Sequence, residues 1–413
     1  MPGPKPSPYS LKRTSVKKAF YIDKSAWAKL ESYFKRTGKE KSHVVNEALQ
    51  LYIEQMFNVS RVQSSHWSVV SLFSGCGGMD LGFSGGFNYL DTYYDGHQRH
   101  FGKKCDTAFK IIFANDILPE ACQTYESYFR NKENDYQTIV RNEDIKEFLD
   151  RIELISKSGS PVGFPDQADV VVGGFPCQDF SVAGKRTGFD SERGRLYLQM
   201  KRVVAKLNPK IFIAENVKGL TNLGSALDVI KEDFSKTGIG YKIISKLHHA
   251  ADFGVPQSRE RVFIVGIRND LDSSLFSFPL ETHSIETSDT GLPSWITSKE
   301  AIHDLIKNNK VPNQLEFSKA KNYGSHCQGN KPIKADRPAP TIRAEHHGNI
   351  EFHYLEERRL TIRECARLQS FPDEMCFIAP PSKSYRLIGN AVPPVLAWHI
   401  GESVAKFLGA IRK

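Results

Sequence analysis

Hydrophobic positions follow one pattern before residue 66 and a different one after it. From residue 66 onward, short unbroken apolar runs recur at 68–73, 111–114, 169–172, 211–214 and 262–267. Helix-length segments separate most of these runs. Unbroken runs are typical of strands that are covered on both faces. The pattern therefore predicts an α/β domain with a Rossmann-like, mostly parallel sheet flanked by helices.

Glycine, cysteine and acidic residues follow directly after four of these runs. In chain order they are Gly75, Gly77 and Gly78, then Asp116, then Pro176 and Cys177, then Glu215 and Asn216. In open parallel sheets, ligands bind beyond the carboxyl ends of the strands. The sequence therefore predicts that the reactive groups gather along that edge.

The segment before residue 66 has the pattern of a separate small domain. Residues 1–15 hold four prolines and almost no apolar residues, which predicts a flexible arm. Residues 16–60 then read as a strand, a helix that begins near Ser25, a turn at Gly38 and a helix that begins near Ser42. So few residues bury too little apolar surface to fold alone, so we expect a homodimer through 16–60.

Positive charge is concentrated in this small domain. The whole chain carries a net charge of +9, and residues 1–61 contain 12 Lys and Arg against 5 Asp and Glu. Such a local excess is typical of a segment with an anionic partner, although a solvated basic tail has the same composition.

The N-terminal order of elements resembles the ribbon-helix-helix family of DNA-binding dimers. The resemblance rests on the strand, on Gly38 and on the second-helix sequence SHVVNEALQLY. It implies that two strands pair and lie in the major groove, with Lys17 and Tyr21 facing DNA. A two-helix dimerisation domain without DNA contact is the alternative.

Composition excludes several classes of protein. The chain is 40% hydrophobic with 25% charged residues, and it has no apolar run of the roughly 18 residues that a membrane span needs. The N-terminus lacks the apolar centre of a signal peptide, so we expect a cytoplasmic protein. The seven cysteines form no CxxC pair, which argues against a disulfide framework and a structural zinc site.

The segment LFSGCGGMDLGF after the first apolar run is a candidate cofactor loop. Glycines at this place let the backbone approach a ligand closely. Asp116 ends the second run, where an acidic side chain can bind ribose hydroxyls. Its alternative role is to cap a helix.

The segment GGFPCQDFSVAGKR carries a candidate nucleophile. Pro176 fixes the backbone before Cys177, and a thiol becomes a good nucleophile where cations stabilise the thiolate. A buried core cysteine is the alternative, but AENVKGL offers Glu215 and FGVPQSRERVF offers Arg259 and Arg261.

Together these blocks resemble the ordered motifs of the DNA (cytosine-5) methyltransferases. The set continues with RRLTIRECARLQSFPD at 358–373 and YRLIGNAVPPVLA at 385–397, and it covers most of residues 66–410. The resemblance implies that Cys177 attacks C6 of a flipped-out cytosine, that Glu215 acts at N3 and that Arg261 binds O2. It gives Arg259 a supporting role on nearby backbone.

The resemblance also implies S-adenosylmethionine as the cofactor. Asp116 would take the ribose, Ile117 would pack on the adenine and Asp144 would contact the adenine amino group. The full set of implied cofactor residues is Phe73, Gly75, Cys76, Gly78, Asp116, Ile117, Asp144, Ile145, Pro176, Leu196 and Asn390. No metal is expected, because His346 and His347 have no suitably spaced acidic or cysteine partners.

Contacts with duplex DNA are expected from two regions. The segment from Gln178 to about Arg195 matches the family's mobile loop, with Gln178 and Ser181 as contacts. The target-recognition region matches a short signature of the family at Thr341–Ile342. Candidate contacts there are Lys331, Lys334, Arg337, Thr341 and Arg343.

The predicted domain order follows from these assignments. It comprises the arm 1–15, the ribbon-helix-helix-like domain 16–60, a catalytic domain 66–268, a target-recognition domain 269–355, and a segment 356–413 that returns to the catalytic domain. An insertion at about 84–110 is either a surface elaboration or a contact to the DNA backbone or cofactor.

We expect an enzyme of bacterial or phage type that methylates C5 of cytosine within a specific duplex sequence. Its expected context is a restriction-modification system with a partner endonuclease, and its N-terminal domain would regulate transcription of its own gene. The alternatives are an RNA cytosine-C5 methyltransferase and a non-catalytic DNA-binding repressor.

Overall fold

The computed structural model describes most of the chain beyond residue 65. The described residues are 31, 66–90, 103–104, 108–132, 138–156, 163–175, 196–222, 226–285, 291–318, 331–344 and 351–412. The arm and the ribbon-helix-helix-like region, apart from Glu31, lie outside them. Six further predicted residues also lie outside: Pro176, Cys177, Gln178, Ser181, His346 and His347.

The chain divides into two compact units. One comprises residues 1–60 with 151–163, and the other comprises residues 61–150 with 164–413. The second unit contains almost all of the described residues, and its architecture is given below.

A seven-stranded sheet forms the centre of this unit. Its strands, in chain order, are β1 (Trp67–Leu72), β4 (Phe109–Asp116), β5 (Ile139–Asn142), β6 (Val170–Gly173), β7 (Ile211–Val217), β8 (Tyr241–His249) and β10 (Glu260–Arg268). Their order across the sheet is β5-β4-β1-β6-β7-β10-β8. The short strands β2 (Phe87–Asn88) and β3 (Lys103–Lys104) form one separate pair, and β9 (Gln257–Ser258) and β11 (Ala339–Pro340) form another.

Nine α-helices lie among the described residues from 66 onward. They are α1 (Gly78–Ser84), α2 (Pro119–Lys132), α3 (Ile145–Ser156), α4 (Leu196–Leu207), α5 (Ala226–Ser235), α6 (Ser298–Ile302), α7 (Ile362–Leu368), α8 (Pro381–Asn390) and α9 (Pro394–Ala410). No helix in this part of the chain is both long and apolar enough to cross a bilayer.

The predicted mostly parallel α/β sheet is confirmed, with one reversed strand. Strands β5, β4, β1, β6 and β7 pair in parallel, whereas β10 is antiparallel to both β7 and β8. The apolar run 262–267 does not indicate a parallel strand, because it forms the buried centre of β10. An unbroken apolar run reports cover on both faces of a strand and does not report its direction.

The last helix of the chain packs on the first helix after β1. Gly82 of α1 lies so close to α9 that a β-carbon there would come within 2.6 Å of the Trp398 backbone nitrogen. Phe83 of α1 and Leu396 and Ile400 of α9 are fully buried. The C-terminal segment therefore packs into the core beside the loop that follows β1.

The described parts of the predicted insertion contribute to this core. Strand β2 pairs antiparallel with β3, and Phe87 and Tyr89 are buried. The Tyr89 hydroxyl donates a hydrogen bond to the carbonyl oxygen of Arg367 at 3.0 Å. Residues 91–102 and 105–107 lie outside the described residues, so a contact from there to DNA or cofactor stays a prediction.

Helix α7 anchors the N-terminal part of the predicted recognition region. The buried Arg367 pairs with Asp304 and with Asp373, both at 2.6 Å. The fully buried Arg363 donates to the carbonyl oxygens of Pro312 at 2.8 Å and Pro372 at 2.9 Å. The sequence RECAR therefore holds residues 301–313 through charge-assisted bonds.

Candidate active site

The loop after β1 has a backbone that leaves room for a ligand. Phe73 and Gly75 both have positive φ, at 53° and 56°, and a β-carbon on Gly75 would meet no atom within 4 Å. Gly77, at φ 90°, backs onto the ring of Tyr125, which a β-carbon would approach to 2.8 Å. Gly78 lies against the backbone carbonyl of Val392. The turn is thus packed against the protein at Gly77 and Gly78 and has free space at Gly75.

Asp116 closes this loop from the end of the neighbouring strand β4. Its Oδ2 accepts a hydrogen bond from the Gly75 amide and its Oδ1 accepts one from the Leu118 amide, both at 2.9 Å. Burial raises the pKa of this carboxyl group, and the two amide bonds oppose the rise. The predicted ribose-binding role and the capping role of Asp116 are therefore compatible in one side chain. The next residue, Ile117, is 60% exposed.

Asp144 and Ile145 lie at the start of α3. The Asp144 Oδ1 accepts hydrogen bonds from the amides of Lys146 at 2.8 Å and Glu147 at 3.1 Å, so this side chain caps the helix. Ile145 is 3% exposed and belongs to the core.

The other described cofactor candidates differ in exposure. Cys76 is fully buried with its sulfur 3.8 Å from the Leu387 carbonyl oxygen, and burial raises the pKa of its thiol. Leu196 is half-buried at the start of α4, and Asn390 is exposed at the end of α8.

These residues fit the adenosine part of S-adenosylmethionine. Strands β1 and β4 pair in parallel, with Leu72 opposite Asn115, so their loops leave the same edge of the sheet. An open glycine, a carboxylate suited to a ribose diol and an exposed apolar side chain occur together at Gly75, Asp116 and Ile117. The carboxylate and the apolar surface match the two chemical parts of a nucleoside.

A buried ion pair lies where β7 and β10 meet. Because these strands are antiparallel, Phe263 of β10 pairs with Glu215, and Arg261 pairs with Val217. The Nε atom of Arg261 lies 2.8 Å from Oε1 of Glu215, and both side chains are about 90% buried, at 11% and 10% exposure. Burial raises the pKa of Glu215, and the positive charge of Arg261 opposes the rise.

Glycine 174 leaves space for this carboxyl group. A β-carbon at Gly174 would lie 2.8 Å from Oε2 of Glu215. Gly174 follows β6, two residues before the predicted Pro176–Cys177 pair. The second oxygen of Glu215 therefore lies against the segment that leads to the predicted nucleophile.

Asn216 is a candidate site residue whose contact the sequence did not reveal. Its Nδ2 donates a hydrogen bond to the Phe175 carbonyl oxygen at 3.0 Å, and its Oδ1 accepts one from the Val217 amide at 2.9 Å. It is 3% exposed. Its place in the ENV block was the only feature of the sequence that pointed to it. Its hydrogen bond to Phe175 fixes the residue directly before Pro176.

Arg259 binds backbone and lies 1% exposed in the interior. Its guanidinium donates to the carbonyl oxygens of Ile342 at 3.0 Å, Gly389 at 2.8 Å and Ala391 at 3.0 Å. Burial lowers the pKa of this guanidinium well below its usual value. Arg259 thus joins the predicted recognition signature to the GNAVPP block.

The candidate DNA contacts of the recognition region lie on the surface, apart from Thr341. Lys331, Lys334, Arg337 and Arg343 are exposed, and Arg337 pairs with Asp336 at 3.2 Å. Thr341 is half-buried and donates a hydrogen bond to the Ser258 carbonyl oxygen at 2.7 Å. Within the described ranges, no group of three or more His, Cys, Asp or Glu side chains could hold a metal ion.

Comparison with known proteins gives a consistent family. The profile described as C-5 cytosine-specific DNA methylase matches residues 67–337 and 320–406. The chain is 35% identical to the type II methyltransferase M.NgoFVII of Neisseria gonorrhoeae, over 81% of this chain and 86% of that protein. It is 32% identical to the type II methyltransferase M.BspRI of Lysinibacillus sphaericus, over 88% of each chain.

The fold also occurs among solved structures. A protein described as a DNA modification methyltransferase encoded within an Escherichia coli prophage superposes with a TM-score of 0.56 and 21% identity. That match covers 83% of this chain and 100% of the other. At this identity the likeness concerns the fold.

Proposed function

The chain belongs to the C-5 cytosine-specific DNA methylases, and from this premise we propose how its residues carry out the reaction. It is a DNA (cytosine-5) methyltransferase, which transfers a methyl group to C5 of cytosine in DNA. The observation that carries the proposed mechanism is the buried Glu215–Arg261 pair at the edge where β6 and β7 end.

S-adenosylmethionine supplies the methyl group from its sulfonium centre when it is bound. The loop at Gly75, the carboxylate of Asp116 and the apolar surface of Ile117 would hold its adenosine part. Gly78 has no room for a side chain, because a β-carbon there would clash with the Val392 carbonyl oxygen.

Cys177 is the nucleophile of the proposed mechanism. C5 of cytosine is too weak a nucleophile to be methylated directly. Addition of the Cys177 thiolate to C6 gives C5 the electron density that methylation requires. After methylation, loss of the C5 proton to water and of the cysteine sulfur from C6 restores the aromatic ring.

Glu215 and Arg261 stabilise the charge that this addition creates. Negative charge develops toward N3 when the thiolate adds, so a proton held by Glu215 lowers the barrier. Burial raises the pKa of Glu215, which favours its protonated form, while Arg261 holds the carboxyl in place at 2.8 Å. In the proposed mechanism Arg261 would also bind O2 of the base. The target cytosine has to leave the duplex to reach these groups.

Methylation mapping tests the function directly. We expect a plasmid from a methylation-free host that expresses this chain to carry 5-methylcytosine in one short sequence motif at base resolution. Cys177→Ala is expected to abolish methyl transfer while DNA binding and the thermal unfolding midpoint are kept. Methylation by the Cys177→Ala variant would contradict the covalent role, and an unmethylated plasmid with soluble wild-type protein would contradict the function.

A partner endonuclease belongs to the proposed context. Several relatives of this chain are type II methyltransferases, and we expect this methylation to block an endonuclease that cleaves the same motif. A plasmid from expressing cells should resist such an endonuclease, whereas a plasmid from cells with Cys177→Ala should be cut. Equal cleavage of both plasmids would contradict the protective role.

The N-terminal region supports a second role in this proposal. We propose that residues 16–60 act as a ribbon-helix-helix-like dimer that binds an operator of the protein's own gene, with Lys17 and Tyr21 contacting the major groove. The support is the sequence order and the local charge of residues 1–61. Deletion of 1–60, and separately Lys17→Ala with Tyr21→Ala in the full chain, should abolish promoter binding. Unchanged promoter binding in either case would contradict this role.

A further inference from the structure

Strand β9, just before Arg261, binds the recognition region through both its backbone and its side chains. It pairs in parallel with β11, so that Gln257 lies beside Ala339 and Ser258 beside Pro340. The Ala339 amide donates to the Pro256 carbonyl oxygen at 2.9 Å. The recognition signature at 341–342 directly follows β11 in the chain.

The side chains of Gln257 and Arg259 both form hydrogen bonds with the backbone of Ile342. The Ile342 amide donates to Oε1 of Gln257 at 3.0 Å, and the Ile342 carbonyl oxygen accepts from Arg259 at 3.0 Å. Thr341 adds its hydroxyl bond to the Ser258 carbonyl oxygen. Three consecutive residues of one segment thus fix two consecutive residues of the other.

The side-chain amide of Gln257 also forms hydrogen bonds with the C-terminal segment. Its Nε2 donates to the Leu368 carbonyl oxygen at 3.0 Å and to Oε1 of Gln369 at 2.6 Å. Gln369 in turn donates to the Ala391 carbonyl oxygen at 2.5 Å. Both glutamine side chains are fully buried.

Glutamine is the side chain that this position requires. Its amide offers an acceptor and two donors in one plane, and Gln257 uses all of them. Glutamate would keep the acceptor and lose both donors, and leucine would leave every buried partner unsatisfied. The arrangement ends two residues from Arg261, which contacts Glu215.

We propose that Gln257 is a positioning residue that couples the recognition region to Arg261. It holds Thr341–Ile342 so that DNA read by the recognition region presents its cytosine to Glu215 and Arg261 in one fixed register. This inference rests on the proposed function, because it assigns Gln257 to the same reaction. A loss of this register lowers the rate of methylation and relaxes the choice of sequence, without loosening the cofactor.

The test compares Gln257→Leu and Gln257→Glu with wild type in single-turnover methylation of two duplexes. One duplex carries the motif found by methylation mapping and the other carries a single mismatched base pair. We expect Gln257→Leu to lower the rate on the correct motif by about 10- to 100-fold, because small misplacements cost this much. The ratio of rates between the two duplexes should fall by about tenfold or more. The Kd for S-adenosylmethionine should stay within about threefold of the wild-type value.

Gln257→Glu separates the two halves of the contact. It keeps the acceptor for the Ile342 amide and loses the donors to Leu368 and Gln369, so we expect a smaller loss of discrimination than in Gln257→Leu. This variant also keeps the inference testable if Gln257→Leu does not fold.

Gln314→Leu is the matched control. Gln314 is 4% exposed, donates to the Leu305 carbonyl oxygen at 3.0 Å and accepts from the Thr361 hydroxyl at 3.0 Å. It should lower the unfolding midpoint about as much as Gln257→Leu while keeping both rate and discrimination. Equal discrimination in all variants, or a joint loss of rate and cofactor binding, would overturn the inference and leave the function intact. Failure of wild type to methylate either duplex would overturn both.

Discussion

In the proposed mechanism, the carboxyl group of Glu215 holds a proton while it is paired with the Arg261 cation. Burial favours the protonated form and Arg261, at 2.8 Å, favours the charged form. We expect Glu215→Gln to lower the single-turnover rate by about 10²- to 10³-fold, with unchanged cofactor affinity. The raised pKa gives a descending alkaline limb, because Glu215 loses its proton as pH rises. That limb should vanish in Glu215→Gln, and a variant that keeps it would contradict the assignment.

Asp80 is a second buried carboxyl group near the cofactor loop. It is fully buried in α1, accepts a hydrogen bond from the Ser71 hydroxyl at 2.6 Å, and burial raises its pKa from 3.8 to about 6. Between these values the folded protein binds a proton that the unfolded chain releases. The stabilisation is therefore complete below about pH 4 and is lost as pH rises through about 6.

Asp80→Asn should remove this pH dependence. Two pKa units correspond to about 3 kcal/mol, so the free energy of unfolding of wild type relative to Asp80→Asn should fall by about that amount from pH 4 to 7.5. Denaturant unfolding of both proteins across this range measures the difference. Curves that run parallel would show that Asp80 does not titrate in this window.

At the residue scale, the spacing of the motifs identified the candidate site residues at the strand ends. It did not reveal which residues these side chains contact. Asp116, Glu215 and Arg261 could be selected because each lies at the end of an apolar run or within a motif block. The contacts of Gln257 and Asn216 could not be predicted, since their partners Gln369 and Phe175 are 112 and 41 residues away in the chain.

Two helical glycines at the element scale should respond to alanine in opposite directions. Gly82 lies against Ala397 and Trp398 where α1 crosses α9, whereas a β-carbon added to Gly409, near the end of α9, would meet no atom within 4 Å. Gly82→Ala should destabilise the protein by about 1–3 kcal/mol through overpacking. Gly409→Ala should stabilise it by about 0.5–1 kcal/mol through helix propensity. Denaturant midpoints decide, and an equal response of both sites would contradict the close packing of α1 and α9.

Strands β5 and β8 were not predicted from the sequence, because neither contains an unbroken apolar run. Strand β5 has only four residues, none of them fully buried, and β8 has the mixed sequence YKIISKLHH. Both are edge strands of the sheet, so each has a neighbouring strand on one side only. The buried strands β1, β4, β6 and β7 could be predicted because burial on both faces demands apolar residues.

At the scale of the whole molecule, positive charge is distributed unevenly along the chain. Residues 1–61 hold 12 of the 56 Lys and Arg residues and most of the net charge of +9. A chain without residues 1–61 should show a weaker salt dependence of nonspecific DNA binding. The slope of log K against log salt should become shallower by about 0.9 for each phosphate that residues 1–61 neutralise. Fluorescence anisotropy with a random duplex between about 50 and 200 mM salt measures this slope. An unchanged slope would place the phosphate contacts in the catalytic unit alone.

The contacts between the loop after β1 and residues 387–392 have a consequence for protein synthesis. The sulfur of Cys76 contacts the carbonyl oxygen of Leu387, which is synthesised 311 residues later, and Gly78 rests on Val392. At the usual pace of translation this gap corresponds to about 15 to 60 s. Throughout that interval the cofactor loop on the ribosome lacks its supporting wall. We therefore expect a nascent chain truncated before Leu387 not to methylate DNA.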